Sequence, residues 1–133
     1  MLKNIVFGLL FFPGSLLLAA SPLYNVPDAP EEYTEKKNKY TSQKDIEIGK
    51  KYYEKECADC HGESGEGDND DKSVVAFNNS DWMKTRSDGQ LFYIAAEGAG
   101  DDSDMEGYGP WSEMGYSDKR VWRIIAYIRT LIP

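Results

Sequence analysis

The sequence predicts a small all-α domain with long loops. Three stretches carry apolar residues at helical spacing, each preceded by a serine suited to capping a helix. No segment alternates apolar and polar residues with the period of two that a half-buried strand needs. Between the helical stretches lie loops rich in Gly, Asp, Asn and Ser, and there is no internal repeat. Loops of this length in a small domain require something to pack against, and a large buried cofactor would supply it.

Taken in order, residues 1–20 read as a secretory signal. Lys3 provides a short positive start, residues 5–18 are almost wholly apolar, and Ala19-Ala20 offers the small residues of a cleavage site. The apolar run is shorter than the roughly 20 residues that span a bilayer, and Pro13-Gly14 interrupts it. Export, for example to the periplasm, is therefore expected. An uncleaved anchor is the alternative, because Leu18 fits poorly three places before a cut after Ala20. Residues 21–41 contain three of the six prolines and a mixed-charge run from Glu31 to Lys39, which predicts a flexible tether.

The folded domain is expected over 42–133. Ser42 caps the first helix, with Asp45 at its third position and Ile46, Gly49, Tyr52 and Tyr53 recurring up to Glu56. Residues 62–80 form a loop. Ser87-Asp88 opens a second helix through Leu91, Phe92, Ile94 and Ala95, ending before Gly98. Residues 98–116 are again irregular. Ser117 caps the last helix, which carries Val121, Trp122, Ile124, Ile125, Tyr127, Ile128 and Leu131.

The whole chain of 133 residues has a net charge of −8, and loss of residues 1–20 would remove Lys3 and no acid. Such a surface repels nucleic acid and anionic headgroups and favours a basic patch on a protein partner. The alternative is that the acidity serves solubility alone. The core of so short a chain is small, and domains of this size often rely on a covalent or metal staple.

Both cysteines and the only histidine lie together, in Cys57-Ala58-Asp59-Cys60-His61. C-x-x-C-H is the attachment signal for covalent haem c. Two thiols three residues apart on a helical turn can reach the vinyl groups along one porphyrin edge, and His61 then offers an imidazole to the iron. Three other chemistries compete for this motif. A structural disulfide suits an exported protein but leaves the histidine unexplained. A thioredoxin-like pair needs a βαβ context, and a structural zinc site needs four Cys or His ligands where the chain has three.

Beyond the motif, the sequence resembles the class I c-type cytochromes. Gly49 stands eight residues before Cys57 and Tyr53 follows four residues later, as in that family. The segment from Trp122 to Arg129 is similar to the family's final W-x-x-x-A-Y-[IL]-R helix, and residues 87–92 look like its pocket helix. The resemblance covers about residues 45–132. It implies three to five helices packed around one covalent haem, with the first and last helices crossing at Gly49, Tyr53, Ile124 and Tyr127. It also implies electron transfer without bond chemistry, so that the protein is a carrier and no enzyme.

In that family the second iron ligand is usually a methionine on the loop before the last helix. Met105, which follows Gly98-Ala99-Gly100 and an acidic run, matches that position. Met114 is the other candidate, three residues before the Ser117 cap. Met83 lies before the pocket helix, in the wrong segment. Two departures from the family are visible: no proline directly follows Met105, and the loop to Ser117 is several residues longer. The implied ligand set is His61 and Met105, and a thioether raises the potential of the iron relative to a second histidine.

Other signals are weaker. The family's backbone carbonyl that holds the ligand histidine is not identifiable, because no proline occurs between Pro30 and Pro110. Trp82 and Arg86 are candidates for a haem propionate, with exposed structural roles as the competing reading. Asp102, Asp104, Glu106, Gly107 and Glu113 match part of a calcium-loop pattern, but Gly109 and Pro110 break it and no helix leads into it. The expected function is single-electron transfer between redox proteins that present a basic docking patch. Contact with a membrane would come only through a redox complex or a retained anchor. The alternatives are a dedicated subunit of a periplasmic dehydrogenase or oxidase, and an open-site haem enzyme or gas sensor.

Overall fold

The computed structural model describes residues 24–133, so the expected signal and the first residues of the expected tether lie outside it. The described chain forms six helices: α1 (Glu31–Thr34), α2 (Gln43–Glu56), α3 (Ala58–His61), α4 (Ser80–Lys84), α5 (Asp88–Glu97) and α6 (Asp118–Arg129). Among the described residues the only β pairing is an isolated antiparallel bridge between Gly98 and Glu106. The three long helices are those the sequence predicts, and α1, α3 and α4 are short additions.

Local chemistry accounts for where the helices begin. The Ser42 hydroxyl accepts from the Asp45 N–H at 3.2 Å and donates to the Asp45 carboxylate at 2.6 Å. At α5, Ser87 Oγ accepts from the Gln90 N–H while Gln90 Oε1 accepts from the Ser87 N–H at 2.7 Å, a reciprocal capping box. Ser117 begins α6 as expected, but its side chain makes no capping hydrogen bond. The Asn79 side chain accepts from the Trp82 N–H and starts α4.

The core forms where α2 crosses α6. A methyl group at Gly49 would run into the carbonyl oxygen of Arg123, so the two backbones can approach this closely only with glycine there. Around the crossing, Tyr53, Val121, Ile124, Ile125 and Ile128 are buried. Each such side chain contributes about 1.5–3 kcal/mol through removal from water. The Tyr53 ring packs against Tyr127 with centroids 5.1 Å apart. At the rim, Arg123 Nε donates to Asp45 at 2.7 Å, joining α6 to the first turn of α2. Helix α5 closes the other side of α6, with Phe92 stacked on Trp122 at 4.3 Å.

Arg129, at the end of α6, gathers three elements. Its Nε donates to Asp88 at 2.7 Å, its Nη1 to the Met83 carbonyl at 2.9 Å, and its Nη2 to the Arg86 carbonyl. One guanidinium thus holds the end of α4, the turn after it and the start of α5 together.

The lead into the domain departs from the flexible tether expected over 21–41. Tyr24 is buried, its ring edge-on to Trp82 at 5.2 Å and its hydroxyl accepting from the Ala76 N–H. Tyr33 of α1 lies against Phe92, and Asn38 Nδ2 donates to the Trp122 carbonyl at 2.8 Å. Gly89 makes room for this strap, since a methyl there would collide with the Tyr33 carbonyl. The aromatic residues of the lead, scattered without helical spacing, find apolar partners on α4 and α5, which offsets the entropy of ordering it.

Candidate haem site

Helix α2 ends at Cys57 and the chain re-enters a helical turn at once as α3. The Cys57 carbonyl accepts from the N–H groups of both Cys60 (3.3 Å) and His61 (2.9 Å). All three side chains are therefore carried by one turn. The two cysteines form no disulfide; Cys57 is half-buried and Cys60 is exposed. Burial, reinforced by the neighbouring Glu56 carboxylate, pushes the Cys57 thiol up to about 12.

His61 is held by the loop that follows. Its Nδ1 lies 2.9 Å from the Val75 carbonyl oxygen. A carbonyl can only accept, so Nδ1 carries the proton and Nε2 is left with its lone pair. Phe77 stacks on the imidazole at 4.5 Å. Burial lowers the basicity of His61, while the bond to Val75 works in the opposite direction. The loop is fastened by Gly67 N–H on the His61 carbonyl at 2.8 Å, Asn78 N–H on the Gly65 carbonyl at 3.0 Å, and Tyr53 O–H on the Gly62 carbonyl at 2.6 Å. Val75 supplies the carbonyl that no proline marks in the sequence.

Met105 lies on the 98–116 loop. The Ala99 N–H donates to its carbonyl at 3.0 Å, next to the Gly98–Glu106 bridge. Three residues on, Tyr108 N–H donates to the Ala95 carbonyl, and Tyr108 O–H donates to the Glu56 carbonyl at 3.1 Å. Tyr116 O–H donates to the Glu56 carboxylate. Both ends of the segment after Met105 are thus tied to the residue just before Cys57. Met105 is half-buried, Met114 is exposed, and Met83 is fully buried in the core.

Trp82 and Arg86 are not exposed. Trp82 is buried, the Arg86 guanidinium lies over its ring at 5.0 Å, and only a loose pair at 3.8 Å joins Arg86 to Asp28. The Trp82 Nε1–H and Arg86 Nε–H groups are buried without an acceptor among the described residues. Buried donors of this kind need a partner, and a carboxylate of a bound group would satisfy them. No three His, Cys, Asp or Glu side chains converge on a possible metal position among the described residues, the Asp102–Glu113 stretch included.

A family model described as cytochrome c matches residues 46–131. The chain belongs to the cytochrome c family. This membership implies a covalently bound haem c, and the paired thiols next to His61 and the orphaned N–H groups fit such a group. Among solved structures, the cytochrome cL of the marine methylotroph Methylophaga aminisulfidivorans MPT is similar, with TM-score 0.54 and 22% identity over 70% of this chain and 57% of that one. The cytochrome cL of Hyphomicrobium denitrificans is also similar, with TM-score 0.50 and 22% identity over 77% of this chain and 62% of that one. At this identity the likeness concerns the fold, and the cytochrome c described here spans about three fifths of either neighbour. No match is found among curated proteins. No helix among the described residues is long and apolar enough to cross a membrane.

Proposed function

We propose that this cytochrome c is an exported single-electron carrier, with haem c attached through Cys57 and Cys60 and ligated by His61 and Met105. The observation that carries the reading is the turn bearing both thiols and an imidazole whose Nδ1 is committed to Val75, leaving Nε2 as the donor atom. When bound, haem c supplies a one-electron couple between ferric and ferrous iron. The residues of the chain do the rest. Val75 and Phe77 fix the plane and tautomer of His61, so that no reorientation accompanies a change of charge. Tyr108 and Tyr116 fasten the Met105 loop to Glu56, which limits how far the thioether can move. The N–H groups of Trp82 and Arg86 would hold a propionate and remove its charge from the apolar interior. If His61 and Met105 both held the group, no open position would be left for a substrate at the iron, which favours electron transfer over catalysis.

The test is the optical spectrum of the oxidised secreted protein beside a Met105→Leu variant. The expected result is the weak far-red band of thioether sulfur on ferric haem in the wild type and its loss in the variant. A band that persists in the variant would reassign the ligand to Met114. A wild type without the band, whose ferrous form binds carbon monoxide, would overturn the carrier reading in favour of an open iron site.

A further inference from the structure

The segment after Met105 forms a closed protrusion. At its base the Tyr116 N–H donates to the Tyr108 carbonyl at 3.0 Å, and Gly109 N–H donates to the Ala96 carbonyl at 2.9 Å. Inside it, Ser112 N–H and Ser112 Oγ both donate to the Gly109 carbonyl, at 3.0 and 2.7 Å, and Gly115 N–H donates to the Ser112 carbonyl at 3.1 Å. The protrusion carries Trp111, 61% exposed, and Met114, 39% exposed, the two exposed large hydrophobic side chains among the described residues.

Trp111 is held in place despite its exposure. Its Nε1–H donates to the Glu97 carboxylate at 2.8 Å, which fixes the indole against the end of α5. An aromatic ring already immobilised loses little entropy when a partner covers it. Tryptophan on an exposed patch is also the residue type most often found at the centre of a protein interface.

The charge along this segment is of one sign. From Glu97 to Asp118 the chain has seven carboxylates, Asp101, Asp102 and Asp104 among them, and no Lys, Arg or His. All seven residues are exposed, and none takes part in an ion pair among the described residues. Among the described residues the cationic side chains lie on other segments, from Lys36 to Lys55, from Lys72 to Arg86 and from Lys119 to Arg129, and they meet this segment at its end, where the Arg120 guanidinium lies over the Tyr116 ring at 4.5 Å and Asp118 shares a pocket with Lys36, Lys37 and Lys39. A second copy of this face would bring like charges together, and nucleic acid would be repelled.

We propose that Trp111 and Met114, carried on this acidic segment, form the docking face for a redox protein whose own surface has an apolar centre and a lysine- or arginine-rich rim. The inference rests on the electron-carrier reading above and specifies where the partner is received. Because this face belongs to the same loop as Met105, a partner seated on it lies next to the ligand side of the site.

The experiment is stopped-flow electron exchange between the secreted haem-loaded protein and a lysine-rich c-type cytochrome, run in the downhill direction. Ferricyanide serves as a small oxidant that needs no docking. The expected result is a fall of about tenfold in the second-order rate with the protein partner for Trp111→Ala, with the ferricyanide rate unchanged. The wild-type rate should also fall as salt is added, and a Glu113→Lys variant should lose part of that salt dependence. A Trp111→Ala protein that reacts with the partner within about twofold of wild type overturns the docking face. So does a wild-type dimer, seen by sedimentation, that Trp111→Ala dissociates, since the occupant is then a second copy. A wild type that ferricyanide cannot oxidise removes the carrier reading itself.

Discussion

Replacing Gly49 with alanine adds one methyl group where α2 crosses α6. That methyl would stand 2.5 Å from the Arg123 carbonyl carbon and 3.2 Å from the Ile124 nitrogen, with the carbonyl oxygen nearer still. Unstrained carbon contacts lie at about 3.5–4.0 Å, so the helices must part by about 1 Å. Neither atom belongs to a side chain that could rotate away. A gap of that size removes roughly a quarter to a half of each dispersion contact it opens. Five buried side chains line the crossing, namely Tyr53, Val121, Ile124, Ile125 and Ile128. If a quarter of their combined burial is lost, at about 1.5–3 kcal/mol each, the cost is roughly 2–4 kcal/mol. Alanine recovers about 1 kcal/mol through its better helix propensity. The net expectation is a loss of about 2 kcal/mol, or about 8 °C in Tm for a domain of this size. Thermal unfolding followed by circular dichroism of the secreted protein reads it directly, with Lys51→Ala on the exposed face of α2 as the control. A Gly49→Ala protein melting within about 2 °C of wild type would refute the close-approach argument.

Three further expectations follow from the same contacts. Arg129→Lys keeps the charge but cannot reach Asp88, Met83 and Arg86 together, so it should lose about 2 kcal/mol in denaturant unfolding; equal stability would show that the three bonds are not acting as a unit. Tyr24→Ala should cost about 3 kcal/mol, as for a buried aromatic in a core, and should enhance amide exchange around Ala76; unchanged exchange there would mean the strap is not fastened by this residue. The Asp45 carboxyl is held below its usual value by hydrogen bonding to Ser42 first and by Arg123 second. Its contribution is therefore complete above about pH 4, the ordinary carboxylate range, and is lost as pH falls through the depressed value. Stability against pH should be flatter below 4 in Asp45→Asn, and identical acid limbs would remove this pair from the account.

Much of the helical frame was legible because its signals are local. Ser42 with Asp45 and Ser87 with Gln90 announce helix starts within four residues, and Ile124, Ile125 and Ile128 recur at the helical period. The attachment motif was legible for the same reason, being five consecutive residues. What escaped was set by tertiary contact. The carbonyl that orients His61 belongs to Val75, and any residue type can present a backbone carbonyl there. Trp82 lies among Asp81, Lys84 and Arg86, a setting that resembles a solvated surface, yet Tyr24 from far up the chain covers it. Tyr24 and Tyr33 share no periodicity, so the strap had no pattern to betray it; the unexplained Gly89 near the start of α5 was the one available clue. The acid-rich loop resembles a calcium loop in sequence, and nothing local marks Trp111, because the significance of an exposed ring depends on its being fixed by Glu97.

The strap also changes how far this domain can stand from whatever holds its N-terminus. A flexible tether over residues 21–41 would give a root-mean-square span of about 25 Å. With Tyr24 buried against Trp82 and Asn38 bonded to Trp122, that slack is taken up along the flank of the domain. On the electron-carrier reading, a membrane or enzyme that gripped the chain just ahead of Tyr24 would grip the folded body itself. Delivery would then depend on the body turning in place, with little freedom to swing on a leash.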